Sequence, residues 1–243
     1  MRKILLLALF NLGFLYSHAQ TSFGITAGLG NAKMRFPDDD GLNYKINPSW
    51  RAGIMADVKL IGKFYLQPQL LISRKGNHTY IGNADQPAAF IFDVHEKTHL
   101  TYLELPVNLV LKFPLGSGKF ITGAGGYIAY GLGGKDKITG TERATGADYE
   151  RKIDVKFEKE PHLAEADFGK TTYYRPIDLE LNFLAGYEFK NGLGLNFTYS
   201  PGLKNMAPPP IVIGPSTIIY NRRMNTYAGL SVTYMLKKHT SKA

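Results

Sequence analysis

The chain has no cysteine and a single tryptophan among its 243 residues. Without cysteine it can form neither disulfides nor thiolate metal sites, which removes both as sources of stability or chemistry. Beyond the N-terminal region no apolar run approaches 18 residues, so the sequence predicts no helical membrane span. There is also no acidic excess, because the net charge is +9.

The first 19 residues have the pattern of a cleavable signal peptide. Arg2 and Lys3 precede an apolar stretch over residues 4–15, and a Ser-His-Ala sequence ends at Ala19. Charge, apolar run and small residues follow one another in the order that export signals require. The stretch is shorter than the roughly 20 residues of a spanning helix. We predict cleavage after Ala19; a short buried N-terminal helix is the weaker alternative.

The basic balance of the chain bears on its partners. Lysine and arginine are scattered along the sequence and do not form one stripe. For an exported protein this pattern favours anionic lipid headgroups over nucleic acid, and no nucleic-acid partner is predicted. Residues 20–236 show no linker between two compositions, so we expect one domain followed by a basic periplasmic tail over residues 237–243.

Eight segments alternate apolar and polar residues with a period of two, which predicts an all-β fold. Each has at least the 9 to 11 residues with which a tilted strand crosses a bilayer. They cover residues 22–33, 49–60, 63–75, 98–113, 119–132, 174–189, 192–202 and 224–236.

One face of each segment is apolar, and the other mixes glycine, tyrosine and charges of both signs. In a closed eight-strand barrel these charges point into a narrow lumen, where side chains fill the interior and buried charges must pair. We predict a structural network of charges with no pore, with a narrow gated conductance as the alternative. The predicted network comprises Arg51, Asp57, Lys59, Glu104, Lys112, Asp178 and Glu180.

Large aromatic residues lie on the apolar faces near both strand ends, as in the two girdles of a transmembrane barrel. Lipid also demands closure, since no sheet edge can stay unpaired in hydrocarbon. A soluble β-sandwich alternates similarly but does not explain the two girdles. The girdle residues are Phe64, Phe113, Phe120, Tyr187, Phe189 and Tyr234 at one end, and Trp50, Tyr130 and Tyr199 at the other.

Short and long connections alternate along the chain, as periplasmic turns and extracellular loops do in outer-membrane barrels. The sequence therefore predicts a closed antiparallel up-and-down transmembrane β-barrel of eight strands. A charged alternating piece at residues 153–158 predicts a hairpin above the membrane and leaves ten strands open. The short connections are residues 61–62, 114–118 and 190–191, and the long ones are 34–48, 76–97, 133–173 and 203–223.

Several strands resemble the PorT-like outer-membrane β-barrel family of Bacteroidetes-type bacteria, which are small barrels similar to OmpA and OmpX. The similar runs are FYLQPQLL at 64–71, YLELPVNLVLKF at 102–113, GAGGY at 123–127 and GLGL at 192–195. The resemblance implies an outer-membrane barrel. One member of the family serves a protein-secretion system, and a shared fold says little about activity.

The last predicted strand resembles the terminal signal that the barrel-assembly machinery reads in such proteins. Tyr227, Gly229, Val232 and Tyr234 supply its leading residue, its glycine and its alternating apolar positions. The resemblance implies that machinery as a partner. The chain departs from the usual pattern because it continues past this signal through residues 237–243.

The sequence offers little sign of catalysis. It contains no nucleophile elbow, zinc helix or phosphate loop. His95-Glu96 with His99 could serve a lipid-modifying enzyme at the barrel rim, but solvated loop histidines are the simpler interpretation. Asp38-Asp39-Asp40 could bind Ca²⁺ yet lacks the spacing of an EF-hand loop. No catalytic site, cofactor or metal is predicted.

The function predicted is therefore a non-enzymatic structural or interaction role through the extracellular loops 133–173 and 203–223. Such a protein would be an adhesin or an accessory part of a secretion or envelope complex. Pro208-Pro209-Pro210 stiffens the last loop toward polyproline geometry. Its apolar flanks at residues 211–213 and 218–220 either meet a partner, pack on neighbouring loops or extend the seventh and eighth strands outward. A small-solute channel and a lipid-modifying enzyme are the alternatives.

Overall fold

The computed structural model describes residues 21–36, 43–45, 47–81, 92–142, 145–159, 170–208, 210–213, 216–218 and 221–236. The predicted signal peptide, the predicted tail and the Asp38–Asp40 run lie outside these residues. Among the described residues, no helix has the length and apolar character needed to cross a membrane.

The described part of the chain forms thirteen strands. They are β1 Thr21–Arg35, β2 Asn43–Lys45, β3 Asn47–Lys59, β4 Phe64–Ile81, β5 Phe92–Leu115, β6 Gly118–Glu142, β7 Asp148–Phe157, β8 Thr171–Tyr174, β9 Ile177–Glu188, β10 Leu193–Pro201, β11 Ile211–Ile213, β12 Ser216–Ile218 and β13 Met224–Met235.

Eight strands close a ring in the order β1, β3, β4, β5, β6, β9, β10, β13 and back to β1. Every neighbouring pair in this ring is antiparallel. The closing pair joins the first and last strands over twelve registered positions, from Gly24–Met235 to Arg35–Met224. The prediction of an all-β, eight-stranded, up-and-down closed barrel is confirmed.

The strands alternate as the sequence predicted, but apolar side chains point outward and polar ones inward. In β10 the pattern is strictly alternating, with Leu195 and Phe197 exposed and Asn196 and Thr198 buried. A continuous outward band of exposed Leu, Ile, Val and Phe surrounds the barrel. In water this band would be unfavourable, whereas in hydrocarbon it is the surface that a membrane barrel requires.

Three tight turns at the periplasmic end are made by glycines in the left-handed region. Gly62 and Gly116 both have φ of 56°, and Gly192 has φ of 90°. A side chain with a Cβ would be strained in these conformations. The turns keep β3 to β4, β5 to β6, and β9 to β10 in register as hairpins.

The strands β4, β5 and β6 continue well beyond the apolar band. Here they join β2, β7 and β8 in a six-stranded extension, which we call the extracellular sheet. A bulge between Thr101 and Tyr102 shifts the register of β5 on β6 where this extension begins. Sequence patterning assigned residues 76–97 and 133–173 to loops, and that assignment is corrected by β4, β5, β6 and β7.

The branching of β6 explains why the ring keeps eight strands. Its first half pairs with β9 up to Tyr130, and its second half pairs with β7 from Gly134 to Thr141. β7 therefore joins the sheet only above the ring, as the predicted hairpin. β8 then runs parallel to β7 at its far edge.

Candidate functional site: the barrel interior and the extracellular sheet

An ionic layer fills the middle of the barrel, and Lys75 is its centre. The Nζ atom lies 2.9 Å from Glu104 Oε1 and 3.0 Å from Glu180 Oε1, and it contacts the hydroxyl of Tyr127. Lys75 has 2% of its surface exposed. The three partners come from β5, β9 and β6, so one side chain of β4 joins strands on opposite sides of the lumen.

Hydrogen bonds complete this layer. Ser73 Oγ donates to Glu104 Oε1 at 2.5 Å. Asn225 Nδ2 donates to Asp178 Oδ2 at 2.6 Å and to the hydroxyl of Tyr102 at 3.1 Å. Because these side chains are buried, each of these bonds offsets part of the desolvation of a buried charge.

A second ionic layer lies nearer the periplasmic end. Lys112 Nζ is 2.6 Å from Asp57 Oδ2 and 2.5 Å from Glu188 Oε2. Gln67 Nε2 donates to the other oxygen of Asp57 at 2.8 Å. Lys119 approaches Glu188 from the rim at 3.4 Å. Between the layers, Asn182 donates to Asn108 and accepts from Ser200, both at 2.7 Å.

Two cations of the predicted network lie apart from these ion pairs. Arg51 is buried, donates to Thr198 Oγ1 at 2.7 Å and lies over the Tyr227 ring at 4.6 Å. Within the described residues it has no carboxylate at ion-pair distance. Lys59 is exposed at the end of β3, so it lies at the rim and outside the interior contacts. The structure places the other five predicted residues in the two ionic layers.

The space left inside the barrel is small. The interior cavity lined by Arg51, Gln67, Asn182 and Thr198 has a volume of about 20 Å³. Side chains therefore leave little room in this part of the lumen, beside the second ionic layer.

The extracellular mouth is closed by apolar packing. Met206 and Ala207 are fully buried there, held by hydrogen bonds from Met206 N to Arg223 O and from Arg175 N to Met206 O. Residues 203–208 thus fold over the mouth, with Met206, Ala207 and Pro208 buried. The cluster around it comprises Met34, Leu100, Tyr102, Tyr127, Ala129, Val155 and Tyr174, with Phe36 and Phe157 at its edge.

Two acidic side chains lie above this closure on the inner face of the extracellular sheet. Burial raises the pKa of Asp136, and the nearby hydroxyls of Thr172 and Thr98 and the guanidinium of Arg223 offset this only in part. Neither carboxylate oxygen of Asp136 has a hydrogen-bond partner of normal geometry among the described residues. Burial, then the charge of Asp136, also raises the pKa of Glu96.

The histidines considered for catalysis do not form a dyad with Glu96. His95 lies on the outer face of β5 beside Tyr80 and His78, with ring centroids 4.9 and 5.7 Å away. Glu96 is its chain neighbour and so points to the opposite face. In the part of the chain that the structure describes, no group of three His, Cys, Asp or Glu residues could hold a metal ion.

The residues of the predicted assembly signal alternate across β13. Tyr227 and Gly229 face the lumen, whereas Val232 and Tyr234 face outward with about half of each side chain exposed. Gly229 lies against Tyr227: a Cβ at this position would be 2.3 Å from the tyrosine hydroxyl and 2.6 Å from the carbonyl oxygen of Leu29. The glycine is therefore needed for close packing at the seam between β13 and β1.

The comparisons with known proteins agree with this geometry. Residues 18–207 match the family described as "Outer membrane protein beta-barrel domain". The chain belongs to this family. Together with its closed ring and lipid-facing band, membership places this barrel protein in the bacterial outer membrane. The finer PorT-like assignment is not part of this match, and the comparison with curated proteins finds no match.

Solved barrels are similar at low sequence identity. The attachment invasion locus protein Ail of Yersinia pestis is 11% identical, with a TM-score of 0.35, covering 88% of this chain and 98% of its own. Neisserial surface protein A is 10% identical, with a TM-score of 0.39, covering 88% of this chain and 97% of its own. These scores are too low to transfer function to this barrel protein.

Sequence patterning missed several residues that organise the interior. Lys75 lies on the inward face of β4 two residues after Ser73, and it is the last residue of the predicted segment 63–75, so following the alternation to its end would have included it in the network. Glu188 lies within the predicted segment 174–189 and could have been included in the same way. Met206 gave no such signal, because it lies in a segment without periodicity. Asp136 and Glu96 lie in strand extensions that patterning assigned to loops.

Proposed function

We propose that this barrel protein is a non-conducting, non-enzymatic interaction protein whose extracellular sheet binds a protein partner at the cell surface or in the envelope. One observation carries the proposal. The ring is filled by two ionic layers and an apolar closure, while β4, β5 and β6 extend beyond the membrane into a six-stranded sheet. The barrel then serves as an anchor, and the sheet is the surface left for function.

The far edge of the extracellular sheet suits a partner. Residues 148–152 of β7 are all exposed, and they include Tyr149 with 42% of its surface exposed. β8 pairs with residues 154–157 of β7, so the strand that carries Tyr149 lies at the outer side of the sheet. A strand at the side of a sheet that presents an exposed aromatic can receive an incoming segment of a partner.

Site-specific photo-cross-linking in living cells tests the proposal. A photoreactive phenylalanine analogue at position 149 should give discrete protein adducts. The same analogue at position 195, which faces lipid, is the control and should give none. Identical patterns from both positions, or no adduct from position 149, would contradict an interaction role for this edge.

A channel is disfavoured by the filled interior. The enzyme alternative draws no support from the described histidines, since His95 and Glu96 point to opposite faces. Incubating the refolded protein with lipid A and measuring lipid masses tests it, and a mass change would overturn the non-enzymatic assignment.

We also propose the remaining sequence-based features: removal of residues 1–19 as a signal peptide, a periplasmic tail at residues 237–243, and recognition of the last strand by the barrel-assembly machinery. The PorT-like resemblance supports them. N-terminal sequencing of the protein from outer membranes should begin at Gln20. A start at Met1 would contradict the cleavage.

A further inference from the structure

The outer face of the extracellular sheet is mostly basic where it rises from the lipid-facing band. The registers of β4 to β7 place these side chains on one face, in rows separated by two residues. A two-residue step along a strand is about 7 Å. From the membrane upward the residues are Arg74, then His99 and Lys135, then Lys97, Lys137 and Lys152, and we call this set the lateral basic face.

Two acidic side chains share the lateral basic face: Asp154, which lies opposite Lys135 in the register of β6 and β7, and Glu150 above it. Glu150 lies 2.9 Å from Lys137 and 3.1 Å from Lys152. In the described residues, Arg74, Lys97 and Lys135 form no ion pair. These three cations against the one carboxylate of Asp154 leave a surplus of positive charge in the part closest to the membrane.

His99 lies among these cations, and their charges affect the pKa of its imidazole. Burial, then the charges of Arg74 and Lys97, lower the pKa of its imidazole. A neutral imidazole offers one N–H donor without adding charge. Arg74 is registered with Thr101, and His99 and Lys97 follow at two-residue steps on the same face of β5, so one anionic group can lie between these side chains.

The lateral basic face is continuous with the surface that contacts lipid chains. Arg74 follows Ile72 by two residues on the same face of β4, and Ile72 has 47% of its surface exposed. On the neighbouring strands Leu103 and Tyr130 are exposed at the same level and pair in register. A lipid whose acyl chains lie on these three residues has its headgroup beside Arg74.

We propose that the lateral basic face binds the phosphate groups of an anionic lipid headgroup in the outer leaflet. Guanidinium and ammonium groups form strong charge-assisted hydrogen bonds with phosphate. Membrane lipid is the chosen ligand because of the continuity with the apolar band. This inference goes beyond the proposed function, since it concerns the side of the sheet that faces the membrane and not its far edge.

Native mass spectrometry of the folded protein in neutral detergent tests the proposal. The probe is diphosphorylated lipid A, compared with the same lipid after dephosphorylation. The triple variant Arg74→Gln/Lys97→Gln/Lys135→Gln should bind the phosphorylated lipid at least about tenfold more weakly than the wild type. The wild type should bind the dephosphorylated lipid with a similar loss of affinity. All protein samples should keep the heat-modifiable mobility on SDS gels that is typical of folded barrels.

The matched control removes three exposed lysines at the periplasmic end, in the variant Lys59→Gln/Lys63→Gln/Lys190→Gln. It has the same net charge as the test variant and should retain wild-type binding. Equal losses in both variants would overturn the proposal in favour of general charge. Stronger binding to soluble heparin than to lipid A would overturn it in favour of a surface polyanion. Cross-linking from position 149 should be unchanged in the test variant, so the two proposals can fail separately.

Discussion

Lys75 is the side chain on which the middle ionic layer depends. It faces Glu104 and Glu180 at about 3 Å, with no other ammonium in that layer among the described residues. Removing one partner of a buried ion pair leaves an uncompensated charge, which costs about 3–5 kcal/mol. We therefore expect Lys75→Met to lower the free energy of unfolding by about that amount, measured by urea titration of the protein folded in lipid vesicles.

The control for this prediction is Lys59→Met, the same substitution at an exposed lysine of the neighbouring strand. Surface changes of this kind stay within about 0.5 kcal/mol. Similar effects of both substitutions would show that Lys75 does not hold the layer together.

Gly229 is a second residue whose role can be tested alone. A Cβ there would meet the Tyr227 hydroxyl at 2.3 Å and the Leu29 carbonyl oxygen at 2.6 Å. Overpacking of this kind costs about 1–3 kcal/mol, so Gly229→Ala should lower the urea midpoint. Gly126→Ala is the control, since its nearest neighbour would be Glu180 O at 3.8 Å. Equal stability of the two variants would contradict the close packing at the seam.

What the sequence can predict about single residues is limited by the information in the alternation of side chains. Alternation alone tells which side chains share a face, and the structure has five of the predicted residues buried, namely Asp57, Glu104, Lys112, Asp178 and Glu180. Alternation cannot tell where a strand leaves the barrel. Lys59 was therefore included although it lies at the rim, and Lys75 was omitted although it lies at the centre.

Among the elements, the extracellular sheet should respond to pH through Asp136. Burial raises the pKa of this carboxyl above its ordinary value of 3.8. Its favourable contribution is complete below that ordinary value and is lost as pH rises through the raised pKa. The variant Asp136→Asn should therefore slow amide exchange in β6 and β7 relative to the wild type at pH 7.5, with no difference near pH 4.

The control for this effect is Asp154→Asn, which changes an exposed carboxylate on the neighbouring strand and should leave exchange unchanged. Faster exchange in Asp136→Asn than in the wild type at pH 7.5 would instead show that the ionised carboxylate stabilises the sheet through Arg223.

The strands of the ring could be predicted from sequence because one face of each is apolar over its whole length. The outer parts of the extensions could not be, since residues such as His95, Glu96 and Lys97 are polar on both faces and carry no period-two signal. The closure by residues 203–208 was also hidden, because buried Met206 and Ala207 lie in irregular backbone stabilised by contacts distant in sequence.

For the whole molecule, the outward apolar band and the inward charges follow from one solvent arrangement, with hydrocarbon outside and a packed polar interior. This arrangement was predictable, since the aromatic girdles, the alternating connection lengths and the mixed-charge faces all require it. How tightly the interior is filled was not predictable, because that depends on long-range contacts such as Lys75 with Glu180.

Single-channel recording in planar bilayers tests the central claim of a filled, non-conducting barrel most directly. Wild-type protein shown to be folded by its heat-modifiable mobility should insert without discrete conductance steps. Steady steps that diminish in the Glu104→Gln and Asp178→Asn variants would contradict the claim, because they would show that ions pass along the very side chains that we place in a closed interior.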